Sequence, residues 1–266
     1  MLSDGLKSTG WPQKQVDITI TPGGFIRAPF PLGYERDGGK CGWGSDAYFK
    51  RLIPAASKQV KLVIGSGRTM DRLRRRSRLL TLGVDLTDDS TMRAELVCVT
   101  DTEAGAVIHW TGKSYPVSGI EERTLVQAPL QSHLLEFGGK RMLVLGCHDL
   151  NLFSQRARNR QGEGSTRRKR CDAMRKLAKK FNPVSVLQHP HTTDTPKIWS
   201  VAWAGVRQQL PGAETLASGI AYCHWGDTRE PLDTVRKRTA WGADITDIVV
   251  EGPWPVDHPS ETAATG

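Results

Sequence analysis

Residues 141–154 constrain the fold of this chain more than any other stretch. After Arg141 comes the apolar run Met-Leu-Val-Leu (142–145), which suits a buried strand and is too short for a helix. A glycine ends the run, and three reactive side chains follow it in immediate succession: Cys147, His148 and Asp149. Ligands of open α/β sheets bind at the carboxyl ends of strands. The stretch therefore predicts a strand that leads into a site, although a free cysteine is also a common buried core residue.

The size and composition of the chain suit a folded protein with a sizeable core. Its 266 residues are 38% hydrophobic and 24% charged. We expect a disordered lead-in over residues 1–14, a single domain over 15–251 and a flexible tail over 252–266. No stretch resembles a signal peptide, and the apolar runs are too short to span a bilayer. We therefore expect a cytoplasmic protein with no membrane partner.

The five cysteines support a reducing compartment. They are odd in number and widely spaced, and no two of them form a Cys-x-x-Cys pair. This pattern argues against a disulfide framework and against a zinc ribbon.

The formal net charge of +9 comes from two basic segments. Residues 156–180 hold eleven Lys or Arg against two acidic residues, and residues 68–78 hold six Arg against one Asp. Such clusters can bind nucleic acid or an anionic substrate, and Arg156–Lys180 is the candidate surface for that partner. No aromatic residue lies among these charges before Phe181, so base stacking is poorly supported. A solvated helix face is the other interpretation.

Periodicity predicts alternating strands and helices. The predicted strands are residues 15–20, 60–64, 82–86, 94–100, 106–110, 134–137, 141–145, 184–187, 217–223 and 245–250. The predicted helices are 45–57, 169–181, 196–210 and 231–238, while 68–80 fits either an arginine-rich helix or a loop. Helix 196–210 should bury one stripe formed by Ile198, Val201, Ala202, Gly205 and Val206. Trp199 and Trp203, one turn apart, should pack in the core or at a subunit interface.

Two sequence motifs resemble the carbon–nitrogen hydrolase (nitrilase) superfamily. One is Val-Ile-His-Trp-Thr-Gly-Lys, which ends at Lys113, and the other is a Gly-Gly hairpin leading into Cys-His-Asp-Leu-Asn-Leu-Phe, which begins at Cys147. The resemblance covers about residues 60–250. It implies an α+β fold, a four-layer αββα sandwich, and commonly a homodimer. It also implies Cys147 as nucleophile, Lys113 as the cation that stabilises the oxyanion, and no cofactor.

A thiol nucleophile needs activation by a base or a nearby cation. The family places its base after an early strand, usually as Pro-Glu, and this chain has no such dipeptide. If residues 60–64 are that strand, the base position falls at 66 or 67 and the carboxylate is missing. If 48–64 is the following helix and strand, Glu35 is the base, and this is the register we prefer. Glu121 and Glu122 lie between the lysine and the cysteine, and Glu122 is our candidate for substrate contact.

Further polar residues follow the predicted strand 184–187. His189 and His191 could contact substrate together with His148 and Asp149. A metal site is an alternative, but a His-Pro-His segment is extended and directs its rings to opposite sides.

Three functional hypotheses result. The first is a hydrolase or acyltransferase that acts on the C–N bond of a small amide-like molecule through a cysteine thioester. The second is a catalytically impaired module of the same fold that binds an anionic partner. The third is a metal-dependent hydrolase that uses His148, Asp149 and His189.

Overall fold

The computed structural model describes residues 12, 14–31, 33, 46–65, 67–87, 92–159, 162, 164–191, 196–220, 230–242 and 245. The strands are β1 (Val16–Ile20), β2 (Ile26–Pro29), β3 (Ser77–Thr87), β4 (Arg93–Asp101), β5 (Ala106–Gly112), β6 (Leu134–Phe137), β7 (Lys140–Leu145), β8 (Ser185–Gln188) and β9 (Thr215–Ser218). The helices are α1 (Asp46–Ile64), α2 (Gly67–Arg76), α3 (Glu121–Thr124), α4 (Gln155–Asn159), α5 (Thr166–Phe181), α6 (Pro196–Gln209) and α7 (Leu232–Thr239). Short 3₁₀ turns lie at Leu130–His133 and Asp149–Leu152.

The first sheet contains β1 to β5. β3, β4 and β5 form an antiparallel meander, and β1 and β2 both pair in parallel with β3, one after the other along its length. Gly83 of β3 makes room for the break between β1 and β2, because a Cβ there would lie 2.3 Å from the carbonyl oxygen of Pro22.

The second sheet has the order β6-β7-β8-β9. β6 and β7 form an antiparallel hairpin with both glycines of its turn at positive φ, as tight turns require. β7, β8 and β9 are parallel, so their carboxyl ends meet at one edge of the sheet.

The layers follow from the alternation of side chains along the strands. In β3 and β4 one face packs against α1 and α2, and in the second sheet one face packs against α5 and α6. The remaining faces of the two sheets pack against each other through residues such as Val97, Met142 and Leu187. The protein therefore has the expected α+β fold, a four-layer αββα sandwich.

Two expectations were wrong: the strand predicted at residues 60–64, and part of the buried stripe predicted for helix 196–210. Residues 60–64 are the last turns of α1, whose buried side chains recur every three or four positions (Tyr48, Phe49, Leu52, Ala56, Val60, Ile64). Leu62, which made the segment look like an apolar strand, is 74% exposed. In α6 the buried stripe is displaced, because Ile198 and Val201 are exposed while Trp199 and Trp203 are buried in the core.

Residues 67–76 form the arginine-rich helix α2, with Leu73 as its buried contact. The predicted strand 245–250 lies almost wholly outside the described residues. Among the helices that the structure describes, none is long and apolar enough to cross a membrane.

Candidate active site

The two sheets meet closely at the ends of β5 and β7. Gly146 follows β7, and a Cβ on it would lie 2.5 Å from the backbone nitrogen of Lys113. Gly112, the last residue of β5, packs equally closely against the carbonyl oxygen of Glu95 on the neighbouring strand β4 of its own sheet. These glycines let the backbones approach, so Lys113 and Cys147 are brought to one place from different sheets.

Asp149 holds this junction together. Its carboxylate accepts backbone N–H groups from Ser114 at 2.9 Å, Tyr115 at 2.8 Å and Gly146 at 3.0 Å, and the residue is fully buried. The same side chain thus binds the loop after β5 and the turn that carries Cys147. Its full burial and its three backbone contacts favour a structural role over the substrate contact expected from the sequence.

Lys113 is buried between two carboxylates. Its Nζ donates to Glu95 at 3.0 Å and to Glu121 at 3.1 Å, and its side chain is 2% exposed. Burial lowers the pKa of Lys113, but the charges of Glu95, Cys147 and Glu121 outweigh burial and raise it. The ammonium therefore stays charged, and Arg93 adds a second cation 3.2 Å from Glu121.

Cys147 lies beside two imidazoles. Burial would raise the pKa of its thiol, but hydrogen bonding and charge from His148 and His191 lower it to about 6. His148 has a left-handed backbone at φ 60°, rare for a residue other than glycine, and its ring centroid lies 6.0 Å from that of Trp199. The arrangement favours a thiolate at neutral pH, which is the form that acts as a nucleophile.

His191 is in turn held by two carboxylates. Its Nε2 lies 2.7 Å from Asp85 Oδ2, and its Nδ1 lies 3.5 Å from Glu95 Oε2. Burial lowers the pKa of His191, but Asp85 and the Cys147 thiolate raise it well above its ordinary value. The ring is therefore an imidazolium partner for the thiolate.

Asp85 and Glu95 were not among the site residues predicted from the sequence. They are direct cross-strand partners in β3 and β4, and both carboxylates face the second sheet. An available signal was the presence of an acidic residue inside each of two otherwise apolar strands, since buried charges need partners. Of the two neighbouring glutamates after β5, Glu121 joins the cluster, whereas Glu122 pairs with Arg167 at 2.8 Å and is 40% exposed.

The residues after β1 also shape the site. This early strand is followed by Thr21, Pro22, Gly23 and Gly24, so no carboxylate follows the proline here. A Cβ on Gly23 would lie 3.0 Å from the His191 ring, and one on Gly24 would lie 2.7 Å from Asp85 Oδ2. The His191 ring thus occupies the space that a side chain at position 23 would need. Glu35, our predicted base, lies outside the described residues.

His189 points away from this cluster. Its Nδ1 lies 3.0 Å from the carbonyl oxygen of Leu145, and its Nε2 lies 2.8 Å from the hydroxyl of Thr81 in the other sheet. Complete burial lowers its pKa to about 4, so the ring is neutral. These contacts favour a structural link between the sheets over the predicted substrate contact.

Donor atoms of Glu95, Cys147 and His191 lie within 4.8 Å of one another, which is also the spacing of a metal-binding group. The Lys113 ammonium, 3.0 Å from Glu95, already supplies a positive charge at that carboxylate and so opposes a metal ion there. The set His148, Asp149 and His189, proposed from the sequence, is not among the convergent groups of the described residues.

Part of the basic segment 156–180 is used inside the protein. Arg170 donates to the carbonyl oxygens of Ser114 and Ala128, both at 2.9 Å, and thereby supports the loop of Lys113. Three more arginines make internal contacts: Arg158 with Asp172, Arg167 with Glu122, and Arg175 with the carbonyl of Leu152. Fewer of these charges are therefore free for an anionic partner than the sequence suggests.

A separate surface cleft of about 480 Å³ lies between α1 and β5. Its lining includes Phe49, Ile53 and Trp110, and none of the residues clustered around Cys147. The cleft and the reactive cluster are therefore different features of the molecule.

Comparisons with known proteins found no matching family model and no matching curated protein. Among solved structures, the chain is similar to an amidase of the nitrilase superfamily from Nesterenkonia, with 14% identity over 81% of this chain and 79% of that one and a TM-score of 0.44. A structure of that amidase with butyramide gives 14% identity, coverage of 81% and 80%, and a TM-score of 0.45. The glutamine-dependent NAD+ synthetase of Acinetobacter baumannii gives 16% identity over 76% of this chain and 31% of that one, with a TM-score of 0.40. The αββα sandwich itself rests on the pairing and packing of the chain's own two sheets.

Proposed function

We propose that this protein cleaves an amide-like C–N bond through a covalent thioester on Cys147, and passes the acyl group to water or to an amine. The observation that carries the proposal is the environment of the thiol. Cys147 lies beside two imidazoles, His148 and His191, and these groups lower its pKa to about 6 despite burial. A structural cysteine without such partners has the opposite shift, as Cys98 does, whose pKa burial raises to about 12.

Lys113 is suited to stabilising the oxyanion that forms when the thiolate attacks a carbonyl carbon. Its ammonium has three N–H donors, and Glu95 and Glu121 take two of them. No other described residue accepts from this ammonium, so we assign the third donor to the substrate. A preorganised cation at a buried site stabilises developing negative charge more than the same cation in water does.

The other predicted residues divide into two groups. His148 and His191, next to the thiol, are proposed to contact substrate or its reacting atoms. Glu35 stays a prediction. The homodimer and an anionic substrate also stay predictions, the latter drawn by the exposed lysines of α5 (Lys169, Lys176, Lys179 and Lys180).

The proposal is tested with the Cys147→Ala and Cys147→Ser variants and a panel of small aliphatic amides. Wild-type protein should release ammonia and should form an acyl adduct on the Cys147 peptide, visible by mass spectrometry after acid quenching. Both variants should lose at least about 10³-fold in turnover, since the nucleophile is removed. Cys171→Ala is the matched control, because Cys171 is a buried thiol on α5 whose pKa burial raises. Turnover that survives in Cys147→Ala would reject the thioester mechanism.

A further inference from the structure

We infer that His191, oriented by Asp85, is the general base of this site and takes the proton of the Cys147 thiol. The inference deepens the proposed function and rests on it for the chemical step. It concerns a histidine that enters the site from the loop after β8, and a carboxylate from the middle of the other sheet.

The geometry places the His191 ring near the thiol. A donor atom of His191 lies within 4.8 Å of the Cys147 sulfur, and Glu95 completes the group at the same spacing. Nε2 of the ring is engaged by Asp85 at 2.7 Å. That contact fixes the ring orientation and leaves Nδ1 to exchange a proton with the thiol.

The charges around the ring stabilise its protonated form. Asp85 and Glu95 stand directly opposite each other on β3 and β4, and two like charges in that position repel. His191 lies between them, 2.7 Å from one and 3.5 Å from the other, so an imidazolium relieves the repulsion. The remaining charges of the cluster are those of Cys147, His148, Lys113, Glu121 and Arg93.

Two carboxylate oxygens of the cluster accept no hydrogen bond from the described residues. They are Asp85 Oδ1 and Glu95 Oε2, and both are buried. Buried acceptors of this kind are rare unless something else binds them. An incoming amine would supply the missing donor.

The ring is also held sterically. The backbone of Gly23 and Gly24 covers the His191–Asp85 pair, and a Cβ at either position would fall within about 3 Å of that pair. The amide of Gly23 donates to the carbonyl of Pro190 at 2.9 Å, which ties this cover to the residue before His191. A base held in this way needs little reorganisation before it reacts.

His148 is the other histidine beside the thiol, and it lacks this support. Its ring packs against Trp199, and within the described residues no carboxylate lies at hydrogen-bond distance from it. Asp85 gives His191 that contact. His148 is therefore the better candidate for substrate contact.

In the resting site the proton of Cys147 Sγ has already passed to the His191 ring, which gives a thiolate–imidazolium pair. The thiolate attacks the carbonyl carbon, and the imidazolium gives its proton to the nitrogen of the leaving amine as the C–N bond breaks. The acyl group is left on Cys147 as a thioester. The neutral ring then takes a proton from water or from an acceptor amine, whose oxygen or nitrogen attacks the thioester and releases Cys147.

The test measures alkylation of Cys147 by iodoacetamide from pH 5 to 10, in parallel with amide turnover. In wild-type protein the alkylation rate should rise with an inflection near the thiol pKa of about 6. In His191→Gln the inflection should move toward about 8.5, the value of a free thiol, and turnover should fall by about 10²–10⁴-fold. Asp85→Asn, which keeps the size of the side chain, should shift the inflection in the same direction by less. His109→Gln, at a histidine on β5 that contacts the carbonyl of Ser132, should leave both measurements unchanged.

The outcomes separate this inference from the proposed function. If His191→Gln keeps the low inflection while His148→Gln raises it, His148 is the base and the inference is overturned. If His191→Gln shifts the inflection but wild-type protein cleaves no amide, the thiol–imidazole pair stands and the proposed reaction is rejected. Circular dichroism checks that each variant is folded, and Asp85→Asn reports on the same pair if His191→Gln does not fold.

Discussion

Gly146 lies directly against the backbone of Lys113: a Cβ on the glycine would stand 2.5 Å from the lysine nitrogen and 2.7 Å from its Cα. No real Cβ tolerates these distances, and the obstructing atoms are backbone, which cannot swing aside as a side chain could. This contact sets the spacing between Cys147 on one sheet and the Lys113 ammonium on the other. The position of Cys147 relative to Lys113 therefore depends on the absence of a single methyl group.

Gly146→Ala should accordingly destabilise the protein by about 1–3 kcal/mol, the usual cost of overpacking. It should also slow Cys147 alkylation at pH 7, because Lys113 and the thiolate are pushed apart. Urea denaturation and timed alkylation measure the two effects. Gly119→Ala is the control, since a Cβ there meets no atom within 4 Å. Equal stability of the two variants would contradict the close contact.

Asp149→Asn tests the carboxylate that ties the two loops together. An amide keeps one oxygen for the backbone N–H groups of Ser114 and Tyr115, but presents a donor to the N–H of Gly146. We expect a loss of about 2–3 kcal/mol in the free energy of unfolding. Asp172→Asn removes a surface pair with Arg158 and should cost less than about 1 kcal/mol. If the two losses were similar, Asp149 would have no special role at the junction.

Lys113→Met should destabilise the fold strongly at pH 7. It leaves Glu95 and Glu121 buried without the ammonium that both contact, and an unpaired buried charge costs about 3–5 kcal/mol. The loss in the free energy of unfolding should become smaller as the pH falls, because a protonated Glu121 carboxyl no longer needs a cation. Denaturation at pH 7 and pH 4.5 measures this. Lys140→Met, at an exposed pair with Asp17, should lose little at either pH. A deficit that does not change with pH would contradict the charge argument.

Cysteine reactivity should differ sharply along the chain. At pH 7 the thiol of Cys147, with a pKa of about 6, is mostly thiolate, whereas that of Cys98, raised by burial to about 12, is protonated. Mass mapping after brief alkylation of folded protein at pH 7 should therefore find Cys147 modified and Cys98 untouched. At pH 5 the modification of Cys147 should decline by about tenfold, as expected for an acid protonated below its pKa. Faster modification of Cys98 would show that the predicted environments are wrong.

Motifs that are local in the chain were predicted correctly from the sequence. The β6–β7 hairpin, the strand that ends before Cys147 and the loop that carries Lys113 all consist of neighbouring residues with a clear apolar pattern and turn glycines. The four-layer architecture was also confirmed. Where the local pattern was ambiguous, as in residues 60–64, packing decided the outcome, because the buried positions fit the spacing of the long helix α1.

The contacts among the supporting charges of the site could not be predicted from local sequence patterns. Asp85 and His191 are 106 positions apart, and Asp85 meets Glu95 through the register of β3 and β4. No local pattern encodes these contacts, since they arise only when the two sheets are stacked. The choice of Glu121 over Glu122 at Lys113 likewise depends on which side of a short helix faces inward.

The amino-acid sequence was sufficient to single out Cys147, its strand and Lys113, because each belongs to a continuous segment whose residues interact with their neighbours. The supporting groups Asp85, Glu95 and His191 were brought together by the fold. Stacking the sheets buries Asp85 and Glu95 and places the His191 ring between them, and buried charges are stable only where opposite charges meet. That requirement acts through space, and the order of residues along the chain does not express it.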